Sequence, residues 1–135
     1  MFDLKKYFAR GLNNTLMLRN NTNLSSNGPW ISVYNNTLLQ RWHIGEFSSA
    51  ELTISADFDA QNREIIKILI CNGPSEASLT VYGRSNLGTK LIEPSVTVND
   101  SYVDLLISPA DPAYEGTKVI YTAHYFYNQN PLTLD

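Results

Sequence analysis

The sequence has 135 residues, 43% of them hydrophobic and 17% charged, with a net charge of −3. That length is the usual size of one domain able to bury its own core. The balance excludes a chain held to nucleic acid or an anionic membrane by basic charge, and no uncharged apolar run reaches the roughly 20 residues of a membrane helix.

In chain order, Phe2-Asp3-Leu4-Lys5-Lys6-Tyr7-Phe8-Ala9-Arg10 reads as a short helix with Leu4 and Phe8 on one face, ending at Gly11. The start lacks the apolar segment and cleavage site of a signal peptide, so a product kept in the cytoplasm where it is made is expected. From Asn13 to Pro29 asparagine and serine dominate, broken by the apolar patch Leu16-Met17-Leu18. This composition favours turns over regular structure and reads as an arm, residues 1–29. Its apolar residues, Phe2, Leu4, Tyr7, Phe8, Leu16, Met17 and Leu18, are candidate anchors on a partner. In the alternative the segment folds back and adds an edge strand or a covering helix.

From Trp30 the pattern becomes period-two alternation between turn residues, over about eight runs. Trp30–Tyr34 and Thr37–Ile44 are separated by Asn35-Asn36. Glu51–Phe58 is the clearest, with Leu52, Ile54, Ala56 and Phe58 on one face. Glu64–Cys71 is apolar on both faces, Ile66, Ile68 and Ile70 against Ile65, Leu69 and Cys71, as in a central strand covered on both sides or at a subunit contact. Ala77–Tyr82, Thr89–Val98 with a break at Pro94, Tyr102–Ser108 and Lys118–Tyr127 complete the set. Asn72-Gly73-Pro74, Asn86-Leu87-Gly88, Asn99-Asp100 and Pro109-Ala110-Asp111-Pro112 supply turns. The expectation is an all-β chain: an antiparallel β-sandwich, jelly-roll-like, over residues 30–127, with a C-terminal tail, 128–135.

Few residues carry chemistry. Asp57, Asp59, Asn62 and Glu64 space oxygen ligands through a loop as calcium requires, but no glycine makes the sharp turn and Arg63 sits among them, so a hairpin with solvated carboxylates is preferred and no metal or cofactor is expected. Cys71 is the single cysteine, which excludes an internal disulfide. His43 and His124 each lie mid-strand between aromatic residues, and no nucleophile, phosphate-loop or dinucleotide motif accompanies them. No catalytic residue is assigned. In Tyr121-Thr122-Ala123-His124-Tyr125-Phe126-Tyr127 the tyrosines share one face; Tyr125 and Tyr127 read as core or interface residues and join the anchors as interface candidates.

At Trp42-His43-Ile44-Gly45-Glu46-Phe47-Ser48-Ser49-Ala50-Glu51-Leu52-Thr53-Ile54, Leu79-Thr80-Val81-Tyr82-Gly83 and Ile120-Tyr121-Thr122-Ala123-His124-Tyr125-Phe126 the chain resembles small virion structural proteins of tailed bacteriophages, especially those infecting cyanobacteria. The likeness spans residues 30–127 and brings no catalytic residues. It implies a non-enzymatic β-sandwich subunit repeated on a particle, as a capsid decoration protein or a neck or tail accessory. A homo-oligomer is expected, a trimer or higher symmetric ring touching other virion proteins, with no nucleic acid or membrane partner. The alternative is a carbohydrate-binding module of a phage fibre in host recognition, favoured if Trp30, Trp42 and Tyr125 line an open groove.

Overall fold

The computed structural model describes residues 30–129 and the strand pairing of two segments ahead of them, Leu16–Leu18 and Thr22–Ser26. The expected helix at Phe2–Arg10, its anchors Phe2, Leu4, Tyr7 and Phe8, and residues 130–135 of the tail lie outside the described residues, as do the side chains of Leu16, Met17 and Leu18.

The strands are β1 (Leu16–Leu18), β2 (Thr22–Ser26), β3 (Ile31–Ser32), β4 (Thr37–His43), β5 (Phe47–Asp59), β6 (Asn62–Asn72), β7 (Ala77–Leu87), β8 (Ile92–Asn99), β9 (Tyr102–Pro109) and β10 (Lys118–Tyr127). All pairings are antiparallel, in two sheets ordered β1-β2-β10-β5-β6-β7, with β3 also on β10, and β4-β9-β8. This is the expected antiparallel β-sandwich. A jelly roll nests its strand pairs; here β4 pairs with β9 and β5 with β10, so the pairs cross between the sheets instead.

Alternation explains the core. Leu52, Ile54 and Ala56 of β5, Ile66, Ile68 and Ile70 of β6, and Val119, Tyr121, Ala123 and Tyr125 of β10 face Trp42, Val103, Leu105 and Ile107 of the smaller sheet. Trp42 donates its indole N–H to Asn72 Oδ1 at 3.1 Å, and Asn72 Nδ2 donates to the Phe47 carbonyl at 2.9 Å, so one amide ties β4, β5 and β6.

β6 is covered on one face only: Ile65 and Leu69 are 45% and 43% exposed and Cys71 is also exposed. The sandwich has two layers, and among the described residues none covers the outer side. β7 runs on to Leu87 rather than ending at Tyr82, with a register shift between Lys67 and Ile68 of β6, and the turn falls at Gly88. Pro94 does not break β8, because β8 is an edge strand and can leave the missing N–H on its unpaired side. Trp30–Tyr34 shortens to Ile31–Ser32 before the Asn35-Asn36 turn, where Asn36 takes φ 52°.

Part of the stretch read as an arm has a place in the sheet. β2 pairs with β10 from Thr22↔Phe126 to Ser26↔Thr122, and β3 continues the same edge at Lys118 and Val119.

Candidate functional site

Surface chemistry concentrates in three places. On the outer face of the larger sheet, Ile65 and Leu69 of β6 lie beside Tyr82 of β7, and Phe126 of β10 is exposed on the same sheet. Register sets these among Ser49, Glu51, Thr53 and Ser55 of β5. The result is a set of exposed apolar side chains in a hydroxyl-rich surround, with β7 the edge strand of the sheet among the described residues.

The outer face of the smaller sheet carries a charged aromatic cluster. Arg41 meets Asp104 as a two-pronged pair, Nε to Oδ1 at 2.6 Å and Nη2 to Oδ2 at 3.1 Å, and its guanidinium lies 5.4 Å from the Tyr102 ring centre. Asp104 holds Arg41 protonated above its usual range. Tyr102 meets His43 edge to face at 5.6 Å, while the Gly45 N–H donates to His43 Nδ1 at 2.9 Å, which assigns the proton of a neutral ring to Nε2. Nearby, desolvation raises the Glu46 pKa, and His43 partly offsets this.

The third place is a shallow cleft of ≈ 380 Å³ lined by Trp30, Asp57, Phe58, Gly116 and Lys118. Trp30 and Phe58 are 44% and 39% exposed. Phe58 packs edge to face on Tyr114, ring centres 5.1 Å apart. Tyr114 is set there by the 3-10 turn Pro112–Tyr114, whose first turn is capped by Asp111 accepting from the Ala113 N–H at 2.9 Å.

The residues singled out from the sequence divide clearly. Tyr125 lies in the core: it is fully buried, stacked on Phe47 at 4.8 Å and edge-on to Trp42 at 5.5 Å, because its face of β10 is the one turned to the smaller sheet. Tyr127 is partly buried against Phe47 at 5.0 Å. Trp42 is in the core as well, so Trp30, Trp42 and Tyr125 form no common groove; Trp30 alone is exposed. His124 lies on the opposite face of β10, 4.6 Å from Phe126.

The Asp57–Glu64 loop is a hairpin. Asp59 Oδ1 accepts from the Gln61 N–H at 2.8 Å and Asn62 Nδ2 at 2.9 Å, which together hold its pKa down, and Asp57 sits 3.5 Å from Arg63 Nε. Glu64 points the other way, into the sandwich, where Arg84 Nη1 donates to it at 2.7 Å. Among the described residues no three His, Cys, Asp or Glu side chains gather as a metal site, and no helix is long and apolar enough to cross a membrane. The Glu64–Arg84 pair and the Trp30–Phe58 cleft went unseen in the sequence; the visible signal for the first was an acid in phase with Ile66, Ile68 and Ile70.

No protein-family model matches this sequence, and no curated protein matches it. Among solved structures it is similar to the tailspike protein gp49 of Acinetobacter baumannii bacteriophage Fri1, a capsular polysaccharide depolymerase, with TM-score 0.48, 10% identity, and coverage of 87% of this chain and 20% of that one. It is also similar to the tailspike protein of Acinetobacter phage vB_ApiP_P1, with TM-score 0.41, 15% identity, and coverage of 90% of this chain and 24% of that one. The chain thus spans 20% and 24% of the lengths of these two proteins.

Proposed function

We propose that this chain is a non-enzymatic structural subunit of a tailed-phage particle, a capsid decoration protein or a neck or tail accessory, that assembles through the outer face of its larger sheet. The observation that carries the reading is the exposure of Ile65 and Leu69 in β6, a strand with neighbours on both sides, whose inner residues Ile66, Ile68 and Ile70 are buried. Apolar side chains standing out of such a strand are the mark of a surface that another chain covers. The stretches that resemble virion proteins fall on β4–β5, β7 and β10, which supplies the class of particle.

In this reading copies associate as a trimer or higher symmetric ring, and Phe2, Leu4, Tyr7, Phe8, Leu16, Met17 and Leu18 add contacts to neighbouring virion proteins. Cryo-electron microscopy of the particle is the test. The sandwich is expected in symmetric copies with the Ile65–Leu69 face against a neighbour; a purified particle lacking this chain contradicts the proposal.

A further inference from the structure

We propose that the cleft between Trp30 and Phe58 is a saccharide-binding site. Two large aromatic side chains line it, each with more than a third of its surface open to solvent although a buried core lies a few residues away in sequence. Sugar rings present an apolar C–H face that stacks on an aromatic ring, with hydroxyls around the rim that both donate and accept hydrogen bonds. The cleft supplies both halves of that match. Phe58 is fixed by the edge of Tyr114 and so offers a ring of settled orientation, at little entropic cost on binding. Asp57 is an acceptor for paired hydroxyls and Lys118 a donor, and they lie opposite one another in the β5–β10 register.

The charge pattern favours a sugar over an anion. The two charged side chains lining the cleft, Asp57 and Lys118, are of opposite sign and lie opposite one another in the register, so the lining carries no net positive charge to hold a polyanion. The cleft also has room. It falls within the usual 300–1,000 Å³ range of ligand pockets, and a Cβ added at Gly116 on its wall would meet nothing within 4 Å. This site is independent of the assembly face: it uses none of Ile65, Leu69, Tyr82 or Phe126.

The test screens the full-length protein on an array of bacterial surface oligosaccharides and then titrates the best-binding glycan by ¹⁵N–¹H NMR. The chain has two tryptophans, and their indole signals separate the outcomes: Trp30 is in the cleft, and Trp42 is buried with its N–H held by Asn72. A saturable shift of the Trp30 indole with Trp42 unmoved is expected, weakened about tenfold or more in Trp30→Ala and in Asp57→Asn. Both positions are solvent-exposed enough to leave the core intact, and circular dichroism verifies folding. Absence of binding to every glycan, unchanged affinity in Trp30→Ala, or binding of inorganic phosphate or heparin fragments alone would overturn the proposal.

Discussion

Arg84 of β7 closes on Glu64 of β6 at 2.7 Å inside the sandwich, where the Glu64 side chain has no solvent exposure. The other carboxylate oxygen accepts from the Ile92 N–H at 3.2 Å, and Arg84 Nη1 also donates to the Ile92 carbonyl at 3.3 Å. The pair therefore joins the larger sheet to β8 of the smaller one. Removing the cation leaves a buried charge unpaired, so Arg84→Ala is expected to cost about 3–5 kcal/mol in urea unfolding, whereas replacing both partners, Glu64→Leu with Arg84→Leu, recovers much of that loss. Equal losses in the single and double variants would show that the pair does not act as a unit.

This pair also shows how far the sequence could be read. Alternation marked Leu52, Ile54 and Ala56 as one face of β5, and Lys118–Tyr127 is both the expected and the observed β10, because strand periodicity is local. Which face is covered is not local. Tyr121 and Tyr125 share a face of β10 as the pattern implies, yet only the smaller sheet makes that face the inside. Likewise β7 continues through Gly83, Ser85 and Asn86, poor strand formers held by pairing to β6. The Trp30–Phe58 cleft joins residues of two strands, β5 and β10, with Trp30 just ahead of β3 and Gly116 in a turn, and no spacing in one segment announces it.

Gly88 and Gly116 separate two kinds of strain. Both have positive φ, 86° and 87°. At Gly116 an added Cβ meets nothing, so Gly116→Ala is expected to cost only the left-handed backbone term, about 1–2 kcal/mol. At Gly88 the Cβ would fall 2.5 Å from Asn62 Oδ1 and 3.0 Å from the Gln61 carbonyl, and Asn62 is already bound to Asp59. Gly88→Ala should therefore lower the Tm by clearly more; equal losses would rule out the packing contribution.

Glu46 gives a pH signature. Desolvation raises its folded pKa above the unfolded value, so the folded state binds its proton more tightly. Its favourable contribution is complete below the unfolded pKa and is lost as pH rises through the raised folded one. Glu46→Gln should raise the Tm at pH 7, with the advantage fading as the buffer is taken down to the ordinary carboxylate range. A gain that stays constant across that window would assign the effect to something other than this proton.

Truncation separates the two parts of the N-terminal segment. Removing residues 1–15 leaves β1 and β2 in the chain, and the thermal melt is expected to stay near that of the full protein. Removing residues 1–29 strips β2 from β10 and uncovers the Thr122–Phe126 edge, so a lower Tm is expected. Identical melts for both truncations would mean that the β2 pairing contributes nothing to stability.

Assembly through the outer face of the larger sheet is tested most directly by sedimentation equilibrium at tens of micromolar, comparing the natural protein with Ile65→Ser/Leu69→Ser. Both side chains are nearly half exposed, so the substitutions leave the core untouched. The account predicts a defined oligomer, trimer or larger, for the natural chain and a folded monomer for the double variant, since burying each side chain between copies contributes about 1.5–3 kcal/mol at most. A natural protein that sediments as a monomer, or a variant that assembles as tightly as the natural chain, would contradict it.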